Sequence, residues 1–337
     1  MQGEIGIVSD IREIIVVPEK EQLPLDVRRG SGLTRVFLEI GFGNGEFIVH
    51  LARQNPDAYF WGVEMSRSCV LRALKRIRGE GLNNVSLLCG DARFILKECI
   101  PKESLDGIYM NFPCPWPKKK HSKRRVSSGD FPSEISGVLR KGGFFELVTD
   151  EEWYGVEVRN VLSAHPSLQL GEWCINPPRP VTTKYERKWL EMGKKIFLSR
   201  FVKNNEEGYS ERSIFLRRAE DVHIRVPGKG SLNVFVKGLY NQGGGNGESL
   251  WVYKRSYASG DGGAHLVEVV AGDGSFEQKF FLQIVEREED VLVKIAPYSS
   301  PFLTTSVRGA LEGLGGLIEA HYAESKGTMP SKKERVL

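Results

Sequence analysis

The amino-acid sequence predicts an α/β protein: a doubly wound, mostly parallel sheet over residues 34–203, followed by a smaller, β-rich α+β domain. Two observations predict the sheet. Short apolar runs alternate with segments of helical periodicity, as in βαβ units. The apolar run Val36–Ile40 leads into a glycine-rich turn containing Gly41, Gly43 and Gly45. Such a turn between a strand and a helix lets the backbone approach a ligand closely. Glycine-split apolar runs farther along the chain predict the second domain.

Apolar runs and helical periodicity predict the elements of the first domain. We expect strands at 35–40, 58–63, 84–89, 106–110, 143–149 and 195–202, the last of them at an edge of the sheet. We expect helices at 45–54, 66–79, 91–98, 129–140 and 151–164. Residues 1–33 are mixed in character and contain Pro18 and Pro24, which predicts a leader that packs loosely on the core.

The second half of the chain has the character of an antiparallel sheet. Short apolar runs lie at 232–239, 250–257, 265–270, 276–285 and 291–295. Glycine stretches at 243–247 and 260–263 predict hairpin loops, and residues 304–322 have helical spacing. We therefore assign 208–325 to a separate α+β domain with one helix, and 326–337 to a frayed tail.

Composition limits what the protein can be. Its 337 residues are enough for two domains, and a net charge of +4 means that any surface for a polyanion must be local. The five cysteines include no C-x-x-C pair, so we expect neither a zinc site nor a disulfide framework. No signal peptide or apolar run of ~20 residues is evident. These features predict a cytoplasmic protein with no membrane or metal partner.

Acidic residues follow three successive predicted strands. Glu39 lies in the strand before the glycine turn, Glu64 ends the next strand, and Asp91 follows the third. Glu64 is placed to accept ribose hydroxyls, and Asp91 to accept from an adenine amino group. Together with the glycine turn, this order resembles the S-adenosylmethionine (SAM) site of class I methyltransferases. The resemblance implies a Rossmann-like sheet with these three acids and the turn as the cofactor site.

The proline-rich loop Phe112–Pro117 and the basic run after it form the most distinctive segment. They follow the predicted strand 106–110, and open α/β sheets place their active sites at such strand ends. A run of cations is most often a solvated loop, but a solvated loop has no need of a tryptophan between prolines. The run therefore predicts a polyanion close to the chemistry. The residues expected to contact RNA phosphates are Lys119, Lys120, Lys123, Arg124 and Arg125.

Residues 34–203 resemble the bacterial tRNA (guanine-N7-)-methyltransferase family. The resemblance rests on Leu38–Gly45, Gly62–Glu64, Gly90–Ala92, the Pro-Trp-Pro-Lys loop, Val148–Asp150 with Tyr154, and Arg179–Arg187. It implies SAM as cofactor, tRNA as partner, and formation of 7-methylguanosine at guanine 46 of the variable loop. It implies substrate contacts from Lys118, Asp150, Thr183, Lys184, Tyr185 and Glu186. The resemblance does not extend to 208–337, and it leaves monomer and homodimer both open.

Cys114 occupies the position at which the family has a catalytic aspartate. Guanine N7 has a free lone pair and can attack a sulfonium methyl without a general base, so rate can come from alignment and electrostatics. Cysteine is a poor acceptor, so other groups must hold the purine, and Asp150 and Glu186 are the candidates. Asp150 could also cap the helix that follows it. We keep Cys114 and Asp150 as catalytic candidates.

Two alternatives remain open. The Pro-Cys pair at this strand end resembles the nucleophile motif of cytosine-C5 methyltransferases, in which a thiolate adds to the ring, and neighbouring cations would favour the thiolate. Alternatively, loss of the aspartate leaves a non-catalytic RNA-binding protein on a SAM fold. Retention of Glu39, Glu64 and Asp91 argues against this second alternative, because a pocket without cofactor has no physical need for three acids.

Overall fold

A computed structural model gives the fold of two compact units, residues 1–212 and 213–337. The structure describes residues 14–118, 125–182, 184–204, 222–260, 263–274 and 276–325, without the side chains of Lys184 and Tyr185. Each unit has a hydrophobic core of its own.

An eight-stranded sheet of order β1-β4-β3-β2-β5-β6-β8-β7 organises the first unit. Its strands are β1 (Ile15–Val16), β2 (Arg35–Ile40), β3 (Ala58–Glu64), β4 (Val85–Cys89), β5 (Leu105–Asn111), β6 (Leu139–Thr149), β7 (Leu168–Ile175) and β8 (Phe197–Lys203). Strands β1 to β6 pair in parallel, whereas β8 pairs antiparallel with both β6 and β7. The winding direction reverses between β2 and β5. This doubly wound, Rossmann-like arrangement opens a ligand crevice at the carboxyl ends of those strands.

The helices of this unit lie between successive strands from β2 to β8. They are α1 (Glu46–Gln54), α2 (Arg67–Gly79), α3 (Ala92–Phe94), which continues as a π-helix over Ile95–Cys99, α4 (Phe131–Val138), α5 (Glu152–Ser163) and α6 (Lys184–Glu191). Strands β2 to β5 are nearly continuous apolar runs, because helices cover both faces of a parallel sheet. Their side chains Leu38, Leu87 and Ile108 are fully buried. The predicted α/β alternation is thereby confirmed.

Residues 14–33 correct the expectation of a loosely packed leader. Strand β1 pairs in parallel with β4. The amide of Leu25 donates to the carbonyl of Cys99 at 2.8 Å, and the Trp61 indole donates to the carbonyl of Val27 at 2.7 Å. Leu25 and Val27 are buried. This segment is therefore an integral part of the sheet unit.

A six-stranded antiparallel sheet of order β10-β11-β12-β13-β14-β9 forms the second unit. Its strands are β9 (His223–Pro227), β10 (Gly243–Asn246), β11 (Ser249–Ala258), β12 (Ala264–Asp273), β13 (Phe276–Glu286) and β14 (Asp290–Ile295), with helices α7 (Asn233–Gly238) and α8 (Thr305–Ser325). Leu311, Leu314 and Ile318 of α8 are fully buried in the core. The glycines of α8 have a packing reason, because a Cβ on Gly309 would lie 2.4 Å from the Trp251 ring.

The structure corrects three details predicted for this unit. The run 232–239 forms helix α7 and not a strand. Most of the glycine stretch 243–247 is edge strand β10, whose backbone lies against Trp251: a Cβ on Gly244 would be 2.6 Å from its ring. Strand β9 was not predicted. Asp261 and Gly262 of the second predicted loop, and the predicted tail, lie outside the described residues.

Candidate active site

The glycine turn between β2 and α1 forms an open backbone cradle. Gly41, Gly43 and Gly45 have φ angles of 72°, 55° and 77°, in the region that favours glycine. Among the described residues, no atom lies within 4 Å of a Cβ built on Gly41 or Gly43. A Cβ on Gly45 would lie 2.7 Å from the Cβ of Ala73 in α2. The first two glycines therefore leave room for a ligand at the start of α1, and the third allows α1 and α2 to approach.

Glu64, at the end of β3, ties this turn to the next loop. Its Oε2 accepts from the amide of Gly43 at 3.1 Å, and its Oε1 accepts from the amide of Ser66 at 2.9 Å. The carboxylate thus orients the loops that follow β2 and β3. A carboxylate oxygen has two lone pairs, so Glu64 keeps capacity for ligand hydroxyls.

Glu39, in β2, is a buried carboxylate directly before the turn. It is 4% exposed, and its Oε1 accepts from Nδ2 of Asn111 at 3.1 Å. Its Oε2 makes no hydrogen bond of good geometry among the described residues, although the backbone amide of Ile48 is near enough to lower the pKa of Glu39. Burial raises the pKa of Glu39 to about 7, against the opposing effects of Asn111 and Arg179. A buried acceptor with an unused oxygen at the crevice is suited to a ligand donor.

Asp91 has a structural role in the described fold. It is the N-cap of α3, and its Oδ1 accepts from the amide of Arg93 at 2.9 Å. The ends of β2, β3 and β4 thus carry Glu39, Glu64 and Asp91 in the predicted order. Contact of Asp91 with an adenine amino group stays a prediction.

A buried arginine that the sequence analysis gave no role connects several acids of the site. Arg179 Nη2 donates to Oδ1 of Asn111 at 2.5 Å. Its Nη1 lies 3.5 Å from Oε1 of Glu146, and its Nε lies 3.3 Å from Oε1 of Glu186. The guanidinium carbon lies 5.1 Å from the centre of the Phe47 ring. Glu186, a predicted substrate contact, is therefore a buried and ion-paired carboxylate.

Asp150, at the end of β6, is held by a lysine. Lys194 Nζ lies 2.6 Å from Oδ2 of Asp150 and 3.1 Å from Oε1 of Glu151. The helix-capping role considered for Asp150 was wrong, because Glu151 is the N-cap residue of α5. The side chain of Thr149 accepts from the Glu151 amide at 3.2 Å instead. If Asp150 accepts a hydrogen bond from a purine, it does so while the Lys194 ammonium lies beside it.

Arg125, a predicted phosphate contact, points toward the proline-rich loop. Its Nη2 donates to the carbonyl of Trp116 at 2.9 Å, and its Nε lies 3.2 Å from the carbonyls of Pro115 and Trp116. Its Nη1 pairs with Oε2 of Glu157 at 2.9 Å, and the guanidinium lies 5.0 Å from the Trp153 ring centre. The side chain is only 14% exposed. Arg125 therefore shapes the proline-rich loop, and its fork of donors is already engaged.

The loop that Arg125 holds presents Cys114 at the surface. Cys114 is exposed, and the flanking Phe112 and Trp116 have φ angles of 49° and 47°. Positive φ is uncommon for such bulky residues, so the loop backbone is held in place by its contacts. Lys118 is exposed at its end.

Several predicted contacts cannot be located. Lys119, Lys120, Lys123, Arg124 and Thr183 lie outside the described residues, as do the side chains of Lys184 and Tyr185. Their roles stay predictions. The described part of the chain contains no group of three or more His, Cys, Asp or Glu arranged to hold a metal ion. None of its helices has the length and apolar character needed to span a membrane.

Comparison with known proteins gives the family. A family model described as "Putative methyltransferase" matches residues 34–199. The tRNA (guanine-N(7)-)-methyltransferase of Thermotoga maritima is 37% identical over 295 residues, which cover 86% of this chain and 91% of that protein. Its counterpart in Thermus thermophilus is 33% identical over 300 residues, covering 85% and 90%. The one in Aquifex aeolicus is 29% identical over 295 residues, covering 87% and 97%.

The first unit ends at residue 212, and these alignments are longer than that unit. They therefore include part of the second unit. The family resemblance found in the sequence was limited to residues 34–203. The doubly wound sheet and the β-rich addition predicted from the sequence are both confirmed. The chain belongs to the tRNA (guanine-N(7)-)-methyltransferase family.

Proposed function

We propose that the protein transfers the methyl group of SAM to N7 of guanosine in tRNA, at position 46 of the variable loop, giving 7-methylguanosine. One observation carries the proposal. The glycine cradle with its unused Glu39 oxygen and the loop that presents Cys114 both follow parallel strands, β2 and β5, which are neighbours at the point where the sheet reverses. A methyl donor in the cradle and a base at the loop therefore meet at one edge.

The residues present fit SAM as the cofactor. Glu39 and Glu64 supply acceptors for its ribose hydroxyls and ammonium group, and the open turn at Gly41 and Gly43 admits its polar end. Asp91 is placed for the adenine amino group. When bound, SAM supplies an electrophilic methyl on a sulfonium.

The protein's part in this chemistry is alignment and charge. The N7 lone pair forms the new N–CH3 bond as the S–CH3 bond breaks, so no proton is removed. The purine becomes cationic, and the carboxylates of Asp150 and Glu186 stabilise that charge. Lys194 and Arg179 fix the directions of these two carboxylates. An aspartate in place of Cys114 is not required as a base.

The direct test is product identification. Unmodified tRNA would be incubated with methyl-labelled SAM, digested, and analysed by nucleoside mass spectrometry. We expect label in 7-methylguanosine, and none in a matched tRNA with adenosine at position 46. Label in 5-methylcytidine, or tRNA binding without transfer, would favour one of the two alternatives.

Substitution of Cys114 separates the chemistries. With N7 as nucleophile, Cys114→Ser should keep the rate within about threefold, and Cys114→Asp should keep or raise it, because an acceptor for the purine returns. A thiolate mechanism predicts that the serine variant loses several orders of magnitude. Single-turnover rates decide between them. RNA containing 5-fluorocytosine is the second readout, since a denaturant-resistant adduct would overturn the proposal.

Substitution of Arg125 tests its role in shaping the loop. Arg125→Ala removes several charge-assisted hydrogen bonds to loop carbonyls, each worth roughly 1.5–3 kcal/mol. We expect the rate of methyl transfer to fall about tenfold or more with SAM affinity unchanged. Arg53→Ala, at an exposed ion pair, is the matched control and should behave as the wild type. A wild-type rate combined with a shallower salt dependence of tRNA binding would return Arg125 to the phosphate contacts.

We also propose that the two units are independent domains, the catalytic one at 34–203 with its N-terminal segment and the β-rich one at 208–325. All residues assigned to SAM lie before residue 92. A chain truncated after Arg212 should therefore fold and bind SAM with unchanged affinity in calorimetry. Loss of SAM binding or of a cooperative melting transition would contradict this division. Because the proposed substrate is tRNA, we place the enzyme in the cytoplasm.

A further inference from the structure

One buried guanidinium reaches groups on both sides of the proposed site. Arg179 Nη2 donates to Oδ1 of Asn111 at 2.5 Å, and Nδ2 of the same amide donates to Oε1 of Glu39 at 3.1 Å. In the other direction, Arg179 Nε lies 3.3 Å from Oε1 of Glu186. The amide can satisfy both neighbours in only one orientation, oxygen toward the guanidinium and nitrogen toward the carboxylate. Arg179 is thus one amide away from the cofactor side and in direct contact with the purine side.

The surroundings make this connection electrostatically strong. The side chains of Arg179 and Glu186 are 5% and 2% exposed, so solvent screens their interaction little. The third nearby carboxylate, Glu146, has another partner, because Arg200 Nε donates to its Oε2 at 3.0 Å. Arg200 therefore compensates Glu146. The charge of Arg179 remains to be shared between Glu186 and, through Asn111, Glu39.

This sharing has a consequence for the two ligands. A cationic donor beside Glu39 supplies positive charge that the Asn111–Arg179 arm otherwise supplies. Arg179 can then pair more fully with Glu186 and fix its direction before the purine arrives. Conversely, a purine that binds the Glu186 carboxylate held by Arg179 stabilises that pairing, which weakens the arm through Asn111 and leaves Glu39 in greater need of a cationic donor. The two ligands thus favour each other through one side chain.

We propose that Arg179 is a positioning residue that couples the SAM site to the guanine site, so that each ligand raises the affinity for the other. The proposal rests on the proposed function, since it takes Glu39 as a SAM residue and Glu186 as a purine residue. Beyond the proposed function, it assigns a role to Arg179 and predicts a coupling between the two binding sites that neither site requires by itself. Reciprocity of the link follows from thermodynamic linkage.

The experiment measures coupling and not only affinity. Binding of sinefungin, an amine analogue of SAM that cannot transfer a methyl group, would be measured by calorimetry on the full-length protein with and without saturating tRNA. We expect tRNA to tighten sinefungin binding at least fivefold in the wild type. In Arg179→Gln this ratio should fall to about one. Arg53→Gln, which removes a guanidinium from an exposed ion pair with Glu80, is the control and should keep the ratio.

Other outcomes have definite meanings. If Arg179 has only a structural role, Arg179→Gln lowers the affinity for sinefungin equally with and without tRNA, and the ratio of the two affinities stays as in the wild type. That result would overturn the proposal. A ratio of one in the wild type would overturn it as well. If Arg179→Gln does not fold, Asn111→Ala interrupts only the arm toward Glu39 and should also bring the ratio to one. If the wild-type protein methylates guanosine N7 but shows no coupling, this inference alone fails. If tRNA neither binds nor is methylated, the proposed function itself fails.

Discussion

Glu39→Gln is expected to stabilise the ligand-free protein above pH 7 and to weaken SAM binding at the same time. Burial raises the pKa of Glu39 from 4.5 to about 7. Between these values the folded protein keeps a proton that the unfolded chain has released, so the free energy of unfolding falls as pH rises through this window. The loss reaches about 3 kcal/mol above pH 7, at about 1.4 kcal/mol per pKa unit. Glutamine keeps the shape and does not titrate, so it removes this loss.

Urea unfolding of both proteins at several pH values checks the stability. The free energies of unfolding should coincide below pH 4.5 and separate progressively up to pH 7. Calorimetry with SAM near pH 7 should show affinity falling about tenfold or more, because a charge-assisted hydrogen bond to a buried carboxylate is worth roughly 1.5–3 kcal/mol.

Glu134→Gln is the matched control for Glu39→Gln. Burial raises the pKa of Glu134 to about 7 as well, so this substitution should flatten the pH profile and leave SAM binding intact. If Glu39→Gln binds SAM with wild-type affinity, Glu39 is not a cofactor residue. If the free energy of unfolding of ligand-free Glu39→Gln changes with pH as it does in the wild type, burial does not raise the pKa of Glu39.

Gly45→Ala should be the most damaging small substitution in the cradle. Gly45 has a φ of 77°, and a Cβ there would lie 2.7 Å from the Cβ and 3.1 Å from the Cα of Ala73. Left-handed backbone costs an alanine about 1–2 kcal/mol, and forcing α1 away from α2 adds about 1–3 kcal/mol. We expect the free energy of unfolding to fall by about 2–5 kcal/mol.

Gly41→Ala isolates the backbone part of that effect. Gly41 has a similar φ of 72°, and among the described residues nothing lies within 4 Å of its added Cβ. Its loss of stability in urea should be limited to about 1–2 kcal/mol. Equal losses in the two variants would show that contact between α1 and α2 does not depend on Gly45.

The sequence predicted those parts of the fold whose signal is local. The turn between β2 and α1 was found because glycines follow a buried apolar run. Strand β7 was missed because Gly171 and Glu172 interrupt its apolar residues and because the strand is mostly exposed at the sheet edge, so it has no regular alternation of buried and exposed residues. The run 232–239 was predicted as a strand because it is one of several short apolar runs separated by glycines. Leu232, Val236 and Leu239 are buried at helical spacing while Val234 is 82% exposed, so the helical period was present in the sequence.

The residues of the candidate site were likewise predictable only where their signal is local in the sequence. Glu39, Glu64 and Asp91 could be placed together because parallel strands end at one edge. The pairing of Asp150 with Lys194 joins residues 44 positions apart, and Arg179 contacts Asn111 across 68 positions. The periodicity of the sequence does not indicate such contacts, since they depend on how segments far apart in the chain pack together. Arg125 was assigned to RNA because a cation in a basic run has the same sequence signal whether it faces phosphate or a loop carbonyl.

The position of β8 between β6 and β7 determines when each half of the site can exist during synthesis. The strands that carry the cradle and the acids, β2 to β4, are complete once residue 89 has left the ribosome. The segment with Arg179 and Glu186 lies between β7 and β8. Among the strands that the structure describes, β8 is the only neighbour of β7 in the sheet. The segment between them is therefore anchored at both ends only when residues 197–203 pair with β6. The strands that carry the glycine turn and the acids predicted for SAM are thus synthesised more than a hundred residues before the strand that anchors the segment with Arg179 and Glu186.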